Sequence, residues 1–315
     1  PSPGWLGPLL EQLADPAVAA VAPRIIAVED DPEPSRLSRY ERVRAALDRG
    51  PEPGRVRART RVPYVPSAAL LVRRDLTLLH NGFDSTMWFG EDVDFVWRLD
   101  EAGLVVRYEP SSTVAHHHRT APRDWARRRY QYGTSAGRLA KKHPGALAPV
   151  DASGWSLGAF LLLLAGHPLA SAALVGGTTT TLARRLDHLD EPLPLAAELS
   201  TKGHLAIARA LARCLIRPWW PITLLVSLFV RSARLRIVLF LAAIAPALFD
   251  WVRERPDVDP ASWVALTLAD DIAYSTGVWV GAMRARTLDP LLPDVTDWPN
   301  PSRYSRWRSE RRFGE

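Results

Sequence analysis

"TMWFGEDVDFVWRLDEAG", Thr86 to Gly103, puts Glu91, Asp92 and Asp94 within four positions, directly after Trp88, Phe89 and Gly90. From Val93 onward the pattern is helical. Val93, Val96 and Trp97 fall on one stripe, and Asp94 stands four residues before Arg98, the spacing at which opposite charges pair on a helix. Gly103 is placed to end that helix. Carboxylates in a first helical turn complement the positive end of the macrodipole, by about 0.3–1 kcal/mol each. Local electrostatics therefore accounts for Asp94, and for one of Glu91 and Asp92. Taken alone the cluster is a helix start, and its neighbours must decide whether it is also a site.

Those neighbours alternate between strand and helix patterns. Gly4–Asp15 reads as a short amphipathic helix and Ala17–Ile25 as a buried strand. Pro34–Asp48 is helical and charged, Gly50–Gly54 is a loop, and Ala68–Arg74 is a strand with a basic end. A turn at His80–Asp84 leads into the acidic helix. "LVVRYEP" and "STVAHHH" read as two short strands around Pro110–Ser112, followed by one long basic helix over Arg123–Lys142. Such alternation across the first 148 residues predicts an α/β domain.

From residue 149 to 315 the composition shifts towards helical, apolar segments. Residues 155–177 carry no formal charge, long enough to cross a bilayer, which needs about 20 residues, although His167-Pro168 interrupts the run. Residues 219–230 and 237–249 are shorter, flanked by Trp219, Trp220 and Trp251 and separated by "RSARLR". They fit a hairpin lying in a membrane surface; a buried hairpin of a soluble domain has the same pattern. "DDIAYSTGVWVGAMR" (Asp270–Arg284) reads as a further helix.

The 315 residues carry a net charge of +6, concentrated in two places. Arg123–Lys142 holds seven Lys/Arg against Asp124, and Arg303–Arg312 five against Glu310. Clusters of this kind suit phosphates or lipid headgroups. Nucleic acid is a poor fit, because no aromatic-basic platform accompanies them. The lone Cys214 excludes an internal disulfide and a cysteine zinc site. The chain opens "PSPGWLGPLLEQL" without methionine or signal peptide, which is expected of a fragment whose natural start lies upstream.

The segment Val62–His118 has the order small-residue strand with Arg, "GFD" turn, aromatic pair, "GEDVD", helix with "RL", "AG", and a strand ending in His. This ordered set resembles the C-terminal half of the catalytic domain of inverting family 2 glycosyltransferases, whose fold is GT-A. Asn81 replaces the first glycine of the family's "GGFDE". The resemblance covers about Gly4–Lys142 and implies a single displacement at an anomeric carbon, with a base to take the acceptor's hydroxyl proton. By the motif that base is Asp92, with Glu91 orienting the acceptor, Trp88 and Phe89 lining its site, and Asp94 structural. The family's strand-ending histidine meets a divalent metal, Mg or Mn, or the donor's diphosphate. His116 matches that position, and His118 is a possible second. Strand alternation puts His117 on the other face. Arg127, Arg128 and Arg129 are candidate diphosphate clamps. The resemblance further implies that the principal acidic metal ligands lie upstream of Pro1.

A narrower resemblance rests on "DPAVAAVAPRI", "RRRYQYGTSAGRLAKKHPGALAP" and "DDIAYSTGVWVGAMRARTLDPLLPD". These look like the glycosyltransferases of the mycofactocin system. They imply a nucleotide-diphospho-sugar donor, a UDP-sugar carrying glucose, and a small peptide-derived acceptor. A polyprenyl-linked cell-wall glycan as acceptor remains open, as does a non-catalytic membrane-associated scaffold. UDP-sugar supply would put the protein on the cytoplasmic face of the plasma membrane, peripheral or with one or two spans.

Overall fold

The computed structural model describes residues 1–28, 32–117 and 121–296. In chain order the elements are α1 (Leu6–Leu13), β1 (Val18–Val28), α2 (Arg36–Arg44), β2 (Gly54–Arg55), β3 (Leu71–Val72), α3 (Arg74–Leu79), α4 (Glu91–Glu101), β4 (Val105–His117), α5 (Pro122–Thr134) and α6 (Ala136–Lys142). There follow β5 (Asp151–Ala152), α7 (Gly154–Leu164), α8 (Pro168–Arg185), α9 (Pro192–Ile216), α10 (Trp220–Phe229), α11 (Ala233–Glu254), α12 (Pro260–Ala285), a 3-10 turn at Asp289–Leu291, and β6 (Asp294–Val295).

The class is α/β. Four strands form a mixed sheet in the order β2-β4-β1-β3, in which β1 and β4 run parallel and β2 and β3 are antiparallel edges. β1 is buried over Val18–Pro23, as a central strand covered on both faces must be. Its core partners include Phe95, Val96, Trp97 and Leu99 of α4, with Val106 and Tyr108 of β4. The two strands expected around Pro110–Ser112 are one. β1 pairs with β4 on both sides of these residues, its register jumping from Pro23–Glu109 to Arg24–Thr113. The proline cannot donate to a ladder, so the three residues bulge out and the strand continues. The strand expected over Ala68–Arg74 pairs only at Leu71–Val72. The basic helix is broken at Ser135 into α5 and α6.

The charge-free run 155–177 is not one helix. α7 ends at Leu164, Gly166 is left-handed at φ 83°, and Pro168 starts α8, where its missing N–H costs nothing. At 11 residues α7 is too short to cross a bilayer. Conversely, the apolar core 237–249 sits inside a 22-residue helix, α11. Ser232 caps it by accepting from the Leu235 N–H, so Arg234 and Arg236 are taken into the helix rather than ending it. α11 is the helix among the described residues long and apolar enough to span a bilayer, and only 22% of its apolar window is buried. Trp219 and Trp251 donate inward, to the carbonyls of Leu291 and Val258.

The C-terminal region does not stand apart from the sheet. α12 lies against α5 and α6 so closely that glycine is required at four places. A Cβ on Gly277 would meet the Tyr130 carbonyl oxygen at 2.0 Å, and one on Gly133 would meet the Tyr274 oxygen at 2.0 Å. Gly137 and Gly281 interlock one turn further along, with Cβ positions 2.1 and 2.4 Å from the Gly281 and Thr134 oxygens. Four-residue spacing sets each pair on one helix face, so the two backbones touch directly. Tyr40 of α2, Trp125 of α5 and Trp263 of α12 pack together beside this contact.

Candidate active site

Helix α4 begins where the acids are because Gly90 turns the chain. Gly90 has φ 79°, which L-residues rarely adopt, and a Cβ there would lie 2.9 Å from Ser135. The preceding turn has the same need. Asn81 sits at φ 58°, and asparagine is one of the few non-glycine residues at home in that region, which is why it can stand where the family has glycine. Arg98 of α4 donates to the carbonyls of His80 and Gly82 and holds this turn against the helix.

Asp94 is completely buried, and its role is larger than the single i,i+4 pair. Its Oδ2 meets Arg98 Nε at 2.8 Å, while Oδ1 meets Lys142 Nζ at 2.8 Å and His143 Nε2 at 3.0 Å. Burial works to raise the Asp94 carboxyl, but hydrogen bonds from His143, Lys142 and Arg98 overcome it and hold the group at about 2. His143 is itself buried, edge-on to Trp97, with Nδ1 at 2.5 Å from Glu101. Burial pushes its imidazole down, yet the Asp94 and Glu101 carboxylates prevail and raise it. His143, buried between two carboxylates, thus clamps α4 to the end of α6. The sequence carried no signal for His143, which looks like the end of a basic helix.

Asp92 is different. Its Oδ1 accepts from the Val93 N–H at 2.8 Å and its Oδ2 from the Ser67 N–H at 3.0 Å. Among the described residues neither oxygen forms an ion pair, and Arg49 acts on the carboxylate only from a longer distance. Burial pushes the Asp92 carboxyl up, against those backbone donors. Burial thereby makes Asp92 a better proton acceptor than an exposed aspartate. Among the described residues Glu91 Oε2 is buried with no hydrogen-bond partner.

Both acids line a cleft of about 450 Å³ with Trp88, Phe89, His116 and Arg128. Trp88 is 88% exposed at its edge. Arg128 lies over the rings of Phe89 and Tyr132, 5.9 and 5.6 Å from their centroids, which fixes its guanidinium. A second cavity of about 340 Å³ adjoins, at the carboxyl ends of the parallel strands β1 and β4, where ligands of α/β sheets commonly bind. His116, Arg128 and Tyr132 belong to both cavities, and His117 to the second only. The two histidines thus line one cavity, although both lie within β4 and pair with Ala27 and Val28 of β1, so strand alternation does not keep His117 away from it. Arg127 is exposed and lines neither cavity. Arg129 lines the second but is held in the interior by Glu41 and by Asp270, at 2.9 Å. His118 and the Arg303–Arg312 cluster lie outside the described residues.

Among the described residues no group of three or more His, Cys, Asp or Glu side chains converges as a metal site. Sequence reasoning also missed Tyr274, which α12 brings into the cleft from far along the chain.

No family model matches the chain. Against curated proteins it aligns over 305 residues, 94% of its length, with the pre-mycofactocin glycosyltransferases of two Mycobacterium tuberculosis strains, CDC 1551 / Oshkosh and ATCC 25618 / H37Rv, at 39% identity. The chain is related to pre-mycofactocin glycosyltransferases. It spans 64% of the length of these relatives. The alignment takes in α12 as well as the sheet, in keeping with the glycine interlock that joins them.

Proposed function

We propose that this chain carries the catalytic base and acceptor cleft of an inverting glycosyltransferase with a GT-A-type sheet. It transfers glucose from a UDP-sugar to a mycofactocin-type acceptor. The observation that supports this best is Asp92. It is a carboxyl raised by burial, with no ion pair among the described residues, at a helix start inside a cleft that shares a wall with a second, basic cavity. The named relatives support the reaction class.

In this reading the donor's diphosphate occupies the cavity at the ends of β1 and β4, against Arg128. The acceptor lies in the cleft between Trp88, Phe89 and Tyr274, its hydroxyl between Asp92 and the unpartnered Glu91 oxygen. As the acceptor oxygen attacks the anomeric carbon, its proton passes to Asp92. The bond from that carbon to the diphosphate oxygen breaks, and the electron pair leaves with the nucleoside diphosphate. The products are the inverted glycoside, the nucleoside diphosphate and a protonated Asp92. Arg128 stabilises the developing charge on the leaving group.

The exposed apolar residues Leu228, Phe229, Ile237 and Phe240 of α10 and α11, with Arg231 in the turn between them and Arg234 and Arg236 at the start of α11, support a surface that rests on an anionic membrane. Transfer assays on the full-length protein with UDP-glucose test the donor assignment. Arg128→Ala is expected to raise the donor KM by roughly 10–100-fold, as loss of a charge-assisted contact does. An unchanged donor KM would remove Arg128 from the donor site.

A further inference from the structure

Between the end of α9, α10, the first half of α11, α12 and the turn after it lies a groove of about 450 Å³ that the transfer reaction does not use. Leu215 and Leu239 line it from the buried side, and Ile222, Val226, Leu288 and Leu292 line it where they are exposed. Trp219 and Trp279 also form its walls. Their N–H groups are spent inside the protein, on the Leu291 and Pro218 carbonyls at 2.7 Å each, so the rings offer the groove hydrocarbon only. A smaller space of about 190 Å³ shares Trp279, Leu288 and Leu291 with it and extends to Arg286. We propose that this groove takes one acyl chain of an anionic membrane phospholipid, with the lipid's phosphate at Arg286. This rests on the membrane surface assigned above to α10 and α11.

Polarity and charge both fit an amphiphile with one anionic end. Among the described residues that line the two spaces, the charged side chain is Arg286, at the far end from α10. It is exposed in the turn after α12, and among the described residues it forms no ion pair. Arg284, also exposed, stands two residues before it. The acids of the following turn are already engaged, Asp289 accepting from the Gly145 N–H at 2.8 Å and Asp294 pairing with Arg59 at 2.6 Å. A phosphate arriving here therefore meets uncompensated positive charge. The groove is also continuous with the exposed apolar face. Ile222 and Val226 stand one turn apart on α10, and Leu225, Leu228 and Phe229 carry the same apolar surface on to Arg231. A second copy of the chain docking there would bring its own Arg231, Arg234 and Arg236 to the same face. A bilayer of anionic lipid supplies the opposite charge and the hydrocarbon together.

The test uses the full-length protein and two probes. The first is a phosphatidylserine vesicle doped with a phosphatidylserine whose acyl chain ends in a photoreactive diazirine. Irradiation should label Leu239 and Trp279 inside the groove. Thr223→Phe, which fills the groove without changing a charge, should abolish those labels while co-sedimentation with the vesicles stays within about twofold. The second probe is dodecyl phosphate, titrated as a monomer. Decyl phosphate, two methylenes shorter, should bind roughly tenfold more weakly. Arg286→Gln should weaken dodecyl phosphate by roughly tenfold, and this exposed position carries the test if Thr223→Phe fails to fold. Labels confined to the exposed Phe229 and Phe240 would overturn the groove and leave the membrane surface standing. Equal binding of dodecyl phosphate by wild type and Thr223→Phe, or by wild type and Arg286→Gln, or none by wild type, would overturn the groove independently of that surface. Failure of wild type to sediment with the vesicles would remove the surface, and the phospholipid with it.

Discussion

Replacing Gly277 with alanine adds one methyl group to a helix, a change that normally stabilises. Here it should do the opposite. The added Cβ would lie 2.0 Å from the Tyr130 carbonyl oxygen and 3.0 Å from the Gly133 Cα. Ordinary carbon-to-oxygen contacts between helices are about 3.3–3.6 Å. The backbones of α5 and α12 must therefore part by roughly 1 Å or more, and the obstacle is main chain, which cannot rotate aside. Overpacking of this kind costs about 1–3 kcal/mol, and the rigid partner argues for the upper end. Tyr274 is three residues away on the same helix, so the shift should also reach the cleft. Gly203 provides the control. It is exposed within α9, nothing lies within 4 Å of a Cβ built there, and alanine should gain about 0.5–1 kcal/mol. Thermal and urea melts of both variants read the two signs, with the acceptor KM as a second readout. If Gly277→Ala melts at or above the wild-type temperature, α12 is not interlocked with α5, and the joining of the C-terminal region to the cleft fails with it.

Two other outcomes follow from charge. Asp94, held at about 2 against an ordinary unfolded value near 4, contributes stability above about pH 4 that is lost as pH falls through 2, about 2–3 kcal/mol in all. His143 is raised, so its contribution is full below about pH 6.5 and fades as pH rises through its folded value; melts from pH 2 to 9 should show both slopes, and His143→Gln should abolish the alkaline one. At the other end of the molecule, co-sedimentation with anionic phosphatidylserine vesicles at low salt should weaken by roughly 100-fold when Arg231, Arg234 and Arg236 are all changed to Gln, each arginine contributing about 1 kcal/mol. Equal binding of wild type and the triple variant, or none by either, would remove the membrane surface.

The sheet and the acidic helix were legible because their signals are local. A buried run such as Val18–Pro23 and a helix start such as Gly90–Asp94 are written in consecutive residues. The bulge at Pro110–Ser112 was not, because only pairing with β1 shows that the strand resumes. The break at Gly166 was announced by His167-Pro168, whereas the break at Ser135 was not. For the site, Asp92, Glu91, Trp88, Phe89, His116 and Arg128 could be gathered from ordered motifs, and they line one cleft. Arg127, Arg128 and Arg129 were inseparable in sequence, since consecutive helical residues look alike until neighbours bury one, expose another and aim the third. Tyr274 and His143 were out of reach, because their partners stand far away along the chain.

Whether Asp92 is the base is decided by turnover of Asp92→Asn in the full-length protein with UDP-glucose and the mycofactocin-type acceptor. Donor binding is measured separately by titration. Loss of a general base should lower kcat by roughly 10²–10⁴-fold with donor affinity nearly intact. The wild-type rate should fall on the acid side at a pH above the ordinary carboxylate range, because burial raises Asp92. Near-wild-type turnover by Asp92→Asn, or an equal loss of donor binding, would contradict the assignment.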